Sequence, residues 1–186
     1  MFSRTGHSRQ TGPDAFLTII YFPHMATINL SDYDPGRVPD AGNMRFGIVV
    51  SDWNSEITWK MLEGSVNTLL KHGAGKENIV IKHVPGSFEL TIGAQFLAEY
   101  DDIDAVICLG CIIRGETPHF NYISQGVTHG ITQLNLEYNI PFIFGVLTTD
   151  NVKQAGERAG GMHGNKGDEA AVTAIKMAAL QREMEK

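Results

Sequence analysis

From Arg45 onward, short apolar runs alternate with longer stretches in which apolar residues recur every three or four positions. Arg45 to Ser51 (RFGIVVS) reads as an apolar strand. Ser55 to His72 reads as a helix with Trp59, Leu62, Val66, Leu69 and Leu70 on one face. Asn78 to Val84 (NIVIKHV) is a second predicted strand, and Ser87 to Tyr100 a helix with Phe88, Ile92 and Phe96 four apart. Asp104 to Cys111 (DAVICLGC) is a third strand. A long helix from Pro118 to Tyr138 carries Ile123, Val127, Ile131 and Leu134. Pro141 to Leu147 (PFIFGVL) is a fourth strand. A short helix over about Asn151 to Ala159 and a last one from about Lys166 complete the pattern.

Strict alternation of strands and helices implies a parallel sheet covered on both faces. The expected fold is therefore α/β, a three-layer αβα sandwich around a four-stranded parallel sheet. In such sheets ligands bind outside the carboxyl ends of the strands. The residues that follow each strand then carry the interest: 51–54, 85–89, 111–119 and 148–150.

Residues 1–40 break the pattern and read as an N-terminal arm, with one domain over 41–186. Arg4 and Arg9 precede a short apolar run from Ala15 to Phe22, faintly like a secretory leader. Asp14 abuts that run, and Pro23-His24 follows where small residues would lead to a cleavage site. Met25-Ala26-Thr27 offers a second start, so residues 1–24 are expected to be an upstream extension, disordered or absent in the cell. Asn29-Leu30-Ser31 matches a glycosylation sequon, which has no meaning without secretion. Residues 31–43 mix Ser, Asp, Pro and Gly as a loop does.

Composition narrows the class. The chain has 186 residues, 42% hydrophobic and 19% charged, which is ordinary for one globular domain. A net charge of -6 argues against a nucleic-acid or anionic-membrane binder. No run approaches the ~18 apolar residues of a membrane helix. The 20 glycines exceed the average share of roughly 7% and cluster in turns that would serve a site.

Cys108-Leu109-Gly110-Cys111 tempts a redox or zinc reading. Along a strand, three residues span about 10 Å and odd offsets point to opposite faces. A disulfide needs Cα atoms within about 7 Å. No second cysteine pair is present for zinc. The pair reads as two small hydrophobes in a strand, and reduced thiols fit a cytoplasmic chain.

Gly160 to Gly167 (GGMHGNKG) looks like a phosphate loop. It is not a Walker A motif, because no Gly precedes the Lys and no Ser or Thr follows it. It is either a glycine-rich joint between two helices or a backbone that lets Lys166 and Arg158 approach an anion.

Gly115-Glu116-Thr117-Pro118-His119 is the most informative stretch. Thr117 suits an N-cap and Pro118 the first helical position. Free N–H groups of this turn would form an anion site. His119, in the first helical turn, is expected to be kept neutral by the helix dipole and able to exchange protons near pH 7. The plainer alternative is a polar residue at a helix start. Trp53-Asn54 offers a flat ring and an amide, suited to a planar heterocycle, or a core cap and a helix cap. Phe88-Glu89 offers a second ring and an acceptor, or core packing and a solvated carboxylate.

Taken in order, Trp53-Asn54, Val84 to Glu89 (VPGSFE), Gly110 to His119 (GCIIRGETPH), Phe144 to Thr148 (FGVLT), and Glu157 to Gly160 followed by Gly164 to Gly167 resemble the lumazine synthase family of riboflavin biosynthesis. The resemblance covers nearly all of residues 45–185. It implies a flavodoxin-like topology, and the arm leaves open an added N-terminal strand that pairs with a neighbouring subunit. It implies condensation of 5-amino-6-(D-ribitylamino)uracil with 3,4-dihydroxy-2-butanone 4-phosphate, with no metal or organic cofactor. Trp53 and Asn54 would frame the pyrimidine. Ser87, Phe88 and Glu89 would contact its ribityl chain, and Cys111, Ile112 and Ile113 would line the rest of that pocket. Gly115, Glu116 and Thr117 would cradle the phosphate, and His119 would transfer protons. Phe144 and Arg158 would come from the neighbouring subunit, with Arg158 on the phosphate. Lys166 and Glu169 stand where the family keeps a Lys and an acid near that Arg.

Trp53 departs from a position often held by Phe, and Cys111 from one often held by Thr. The family forms pentamers and sixty-subunit icosahedral shells. The segment from Arg158 to Lys166 carries no insertion, which resembles the shell-forming members. A riboflavin synthase is a further candidate partner.

Two other classes compete. One is a non-catalytic flavin- or lumazine-binding module or phospho-receiver. A receiver wants an Asp ending the third strand, where this chain has Gly110-Cys111. The other is a purely structural shell protein.

Overall fold

The computed structural model describes residues 29–185. The expectations about a leader, an upstream extension, a start at Met25 and an added N-terminal strand fall on or reach into residues 1–28, outside the described residues. The four predicted strands form: β1 (Phe46–Ser51), β2 (Ile79–Val84), β3 (Ala105–Ile113) and β4 (Phe142–Thr149). They make one all-parallel sheet in the order β2-β1-β3-β4. This is the sandwich that the alternation predicts, in the flavodoxin-like topology that the resemblance implies. β2 is an edge, and its middle residues are exposed.

The strands alternate faces with period two. Phe46, Ile48 and Val50 of β1, with Ala105, Ile107, Leu109 and Cys111 of β3, enter one apolar layer. Helices α1 (Ser55–Lys71) and α5 (Lys166–Met184) cover it through Ile57, Met61, Leu69, Ala170, Ala174 and Ile175. Val49, Val106, Cys108 and Ile112 enter the other layer. Helices α2 (Leu90–Tyr100) and α3 (His119–Tyr138) cover that one through Leu90, Ala94, Leu97, Val127, Ile131 and Leu134. Cys108 and Cys111 therefore face opposite layers, as their odd offset requires. Burial pushes their thiols up to about 12 and about 11, with the charge of Glu56 adding at Cys111. Neither is a ready nucleophile.

The core face of α1 differs from the predicted one. Trp59 is 56% exposed, Leu70 is also exposed, and Leu62 and Val66 are half-buried. The buried stripe is Ile57, Thr58, Met61, Ser65, Thr68 and Leu69. Small and polar residues lie inward because α1 and α5 approach closely. A β-carbon on Gly167 would collide with the Met61 carbonyl oxygen. The Thr58 hydroxyl is satisfied by donating to the Ser51 carbonyl, 2.7 Å away.

The helix expected from Ser87 opens instead as a 3-10 turn over Ser87–Glu89, and α2 starts at Leu90. Phe88, Ile92 and Phe96 form an exposed row, while Leu90, Gly93, Ala94 and Leu97 are buried. Thr117 is not the N-cap of α3. Pro118 occupies that position at φ -62°, and the helix starts one residue late. The fixed ring already gives Pro118 a helical φ, and its carbonyl accepts from the N–H of Asn121 at 2.9 Å.

A short α4 (Val152–Glu157), capped by Asn151, follows β4. The glycine-rich joint is then a small antiparallel hairpin, β5 (Ala159–Gly161) and β6 (Gly164–Asn165). No described helix is long and apolar enough to cross a membrane.

Candidate active site

At the carboxyl ends of β1 and β3 lies a cleft of about 160 Å³ lined by Trp53, Asn54, Ser87, Phe88, Cys111, Ile112, Ile113, His119 and Ile123. Each side chain arrives there for a local reason. Asn54 ends the β1 turn in the left-handed region, φ 61° and ψ 42°, which asparagine tolerates better than most residues. Its amide does not cap α1. The side-chain nitrogen donates to the Cys111 carbonyl at 2.9 Å, which leaves the side-chain oxygen as the acceptor offered to a ligand.

Trp53 is 67% exposed and does not cap the core. Its ring lies against Gly86, where a β-carbon would sit 2.6 Å from Cε3 and 2.8 Å from Cζ3. Gly110 does the same for Ser87: a β-carbon on it would stand 2.7 Å from the serine hydroxyl oxygen. The two glycines thus let the 85–89 turn close on the sheet end and bring an indole, a hydroxyl and a phenyl ring to one rim. Glu89 holds that turn, since its carboxylate accepts from the Gly86 N–H at 3.0 Å. It lines the neighbouring groove between α2 and α3 instead of this cleft.

His119, the first residue of α3, is exposed and reaches the cleft wall. Just before it, Gly115, Glu116 and Thr117 are exposed, and among the described residues nothing accepts from their backbone N–H groups. This is a concentration of free donors at a helix start. Arg114 is otherwise engaged: it pairs with Asp150 at 2.8 Å and lies 4.1 Å from the Phe120 ring centroid.

Ile123 is a cleft residue that the sequence reading placed only in the helix core. It lies four residues after His119, on the same helical face, and that spacing is the signal that could have found it.

Phe144, Arg158, Lys166 and Glu169 do not line this cleft. Phe144 lies half-buried on β4 opposite Cys108. One Arg158 guanidinium nitrogen donates to the Gln154 carbonyl at 3.0 Å. Lys166 and Glu169 form an ion pair at 2.6 Å. The N–H of Lys166 donates to the carbonyl of Arg158 at 2.8 Å, so the two cationic residues are backbone neighbours across the hairpin.

A parallel α/β sandwich with a ring, an amide and an imidazole on one cleft at the strand ends, beside backbone donors without an acceptor among the described residues, defines a class: an α/β protein with a small-ligand cleft at its strand ends. Residues 43–182 match the family model described as 6,7-dimethyl-8-ribityllumazine synthase. The chain is 66% identical over 149 residues to the 6,7-dimethyl-8-ribityllumazine synthase of Parabacteroides distasonis, covering 80% of this chain and 93% of that protein. It is 58% identical over 154 residues to the protein so named from Porphyromonas gingivalis, covering 83% and 96%. It is 56% identical over 158 residues to that of Phocaeicola vulgatus, covering 85% and 94%. The chain belongs to the 6,7-dimethyl-8-ribityllumazine synthase family and is an enzyme.

Proposed function

We propose that the chain condenses 5-amino-6-(D-ribitylamino)uracil with 3,4-dihydroxy-2-butanone 4-phosphate at this cleft. The products are 6,7-dimethyl-8-ribityllumazine, one phosphate and two waters, and the step belongs to riboflavin biosynthesis. The observation that carries the reading is the meeting of Trp53, Asn54 and His119 on one cleft, next to the unpaired N–H groups of 115–117.

The Trp53 ring stacks on the pyrimidine, and the Asn54 oxygen accepts from it. Ser87 and Phe88 meet the ribityl chain on the cleft rim, Glu89 reaches it from the adjoining groove that shares Phe88, and Cys111, Ile112 and Ile113 complete the wall. The pyrimidine amine attacks the ketone and loses water to form an imine. Phosphate then leaves, and the second nitrogen closes the ring with loss of the second water. Every step moves protons at carbon, nitrogen or oxygen, which one imidazole can relay. Holding both substrates in one place supplies much of the rate.

Gly115, Glu116 and Thr117 receive the phosphate with backbone dipoles, and Arg158, with Lys166 and Glu169 beside it, supplies full charge. We place Phe144 and Arg158 in the site of an adjacent copy, within the 41–186 domain. They lie away from the cleft of their own chain. That cleft is also smaller than the roughly 300–1,000 Å³ of ordinary small-molecule sites. The assembly is a pentamer and, without an insertion in the hairpin, a sixty-subunit shell in the cytoplasm, with riboflavin synthase as the consumer of the product and a candidate partner.

The test mixes both substrates with the purified chain and follows lumazine absorbance and fluorescence. Formation of the lumazine is expected, and its absence overturns the reading. His119→Ala should slow turnover by about 10²–10⁴ at most without abolishing it. Unchanged turnover in a folded variant removes His119 from the mechanism.

A further inference from the structure

The hairpin that joins Arg158 to Lys166 is short, and its tip is tied back to the end of α4 by the His163 N–H, which donates to the Glu157 carbonyl at 2.8 Å. It has three residues on one strand and two on the other. Gly160 and Gly164 adopt φ of +97° and +76°. A two-stranded ribbon of this size is marginal alone, and glycine raises the entropy lost on ordering it. The spacing of the two cationic residues nonetheless depends on it.

The arm supplies what the hairpin lacks. Leu30 N–H donates to the His163 carbonyl at 2.7 Å. The Ser31 hydroxyl accepts from the Asn165 N–H at 2.9 Å and donates to the Asp168 carboxylate at 2.6 Å. One hydroxyl thus ties the end of β6 to the first turn of α5, through a short bond to a charged acceptor. Asn165 in turn caps α5, accepting from the Gly167 N–H at 2.8 Å, and donates to the Lys60 carbonyl of α1 at 2.9 Å.

The fit is close enough to dictate sequence. A β-carbon on Gly164 would strike the Asn29 side-chain oxygen and would stand 2.7 Å from the Ser31 nitrogen and 2.8 Å from its hydroxyl oxygen. Two residues on, the arm is anchored again where the Tyr33 hydroxyl meets His72 Nε2 at 3.2 Å.

We propose that Ser31 is a positioning residue: its hydroxyl clamps the β5–β6 hairpin onto α5 and so fixes the Arg158–Lys166 pair that receives the substrate phosphate. This rests on the reading of Arg158 as the phosphate anchor. Ser31 touches no substrate. Its effect is confined to the geometry of cations held by the strand it clamps.

The experiment compares Ser31→Ala, Ser31→Thr, Gly164→Ala and Arg158→Ala in the full chain. It measures KM for each substrate separately, the inhibition constant of inorganic phosphate, and the unfolding midpoint. Ser31→Ala should raise the KM of the phosphorylated substrate and the phosphate inhibition constant together, by roughly three- to tenfold. Pyrimidine KM and the unfolding midpoint should stay near wild type. Ser31→Thr keeps the hydroxyl and should recover most of the loss. Gly164→Ala, which keeps the serine side chain but pushes Asn29 and Ser31 off the hairpin, should show the same split between substrates. Arg158→Ala should raise the KM of the phosphorylated substrate by about tenfold to a few hundredfold. If Arg158→Ala does so and Ser31→Ala does not, the clamp is wrong and the anchor stands. If Arg158→Ala leaves that KM unchanged, the anchor reading falls, and the clamp with it. A loss in Ser31→Ala that raises both KM values equally, or that threonine does not restore, makes Ser31 merely structural.

Discussion

Gly86 shows how one missing side chain makes a site. It sits under the Trp53 ring at a separation that no β-carbon can share. Replacement by alanine must therefore push the indole away from the turn or open the turn itself. Either movement shifts the surface proposed to stack on the pyrimidine, while the proposed phosphate end is built from a different loop. Gly86→Ala is expected to raise the pyrimidine KM about tenfold, because lost stacking and a misplaced ring cost on the order of 1–1.5 kcal/mol. The KM of the phosphorylated substrate should change little, and steady-state kinetics with each substrate varied in turn checks the split. A single residue likewise explains why the cysteine pair is chemically quiet. Cys108 is fully buried in the layer under α2 and α3, so its neighbours are hydrocarbon and its thiol keeps its proton.

At the scale of elements, the contact between α1 and α5 decides which face of α1 is the inner one. Gly167 meets the Met61 backbone, and Gly64 faces the side chains of Asn165 and Asp168. Bulk at either point would drive the helices apart, and the buried stripe of α1 admits Thr58, Ser65 and Thr68 among Ile57, Met61 and Leu69. Gly167→Ala should destabilise the fold by about 1–3 kcal/mol, the usual cost of overpacking. Gly156→Ala provides the contrast. Its β-carbon would find only Ile57 Cδ1, at 4.0 Å, and alanine suits the interior of α4 better than glycine. Denaturant midpoints of the two variants should thus move in opposite directions, or the second should not move at all.

For the whole molecule the question is where the charge lies. The chain carries a net charge of -6, yet its proposed substrate set includes a dianionic phosphate. In the proposed site the N–H groups at 115–117, which have no acceptor among the described residues, and Arg158 are the local answer to an unfavourable global field. In one chain neither Arg158 nor Lys166 lines the Trp53 cleft, which supports the proposal that Arg158 serves the site of an adjacent copy. Co-expression of His119→Ala with Arg158→Ala tests this directly. Each variant alone should be weak. Random co-assembly should rebuild intact sites at about a quarter of the interfaces, since each interface draws its two halves independently. Activity near that fraction of wild type is the expected result. A mixture no more active than the average of its components would place both residues in the site of a single chain.

The sequence by itself determined the architecture. Apolar runs at 45–51, 78–84, 104–111 and 141–147, separated by helical periods, allow little except a covered parallel sheet, because the central runs must be buried on both faces, while the run at 78–84 with Lys82 and His83 forms the edge. It also pointed to where a cleft would lie: Trp53, Asn54, Ser87, Phe88 and His119 follow strand ends, Cys111 lies near the end of β3, and all six reach one cleft. It could not determine which side of a helix faces inward when close approach overrides hydrophobicity. Ser65 and Thr68 lie outside the apolar face read for α1 and are buried, while Trp59 on that face and Phe96 in the four-apart row are exposed. Nor could it reveal that Ser31 reaches Asp168 across 137 positions. Periodicity and capping are local properties of the chain, readable within a turn or two. Contacts between distant segments depend on the path of the whole backbone, and only the folded structure brings those groups within a hydrogen bond of each other.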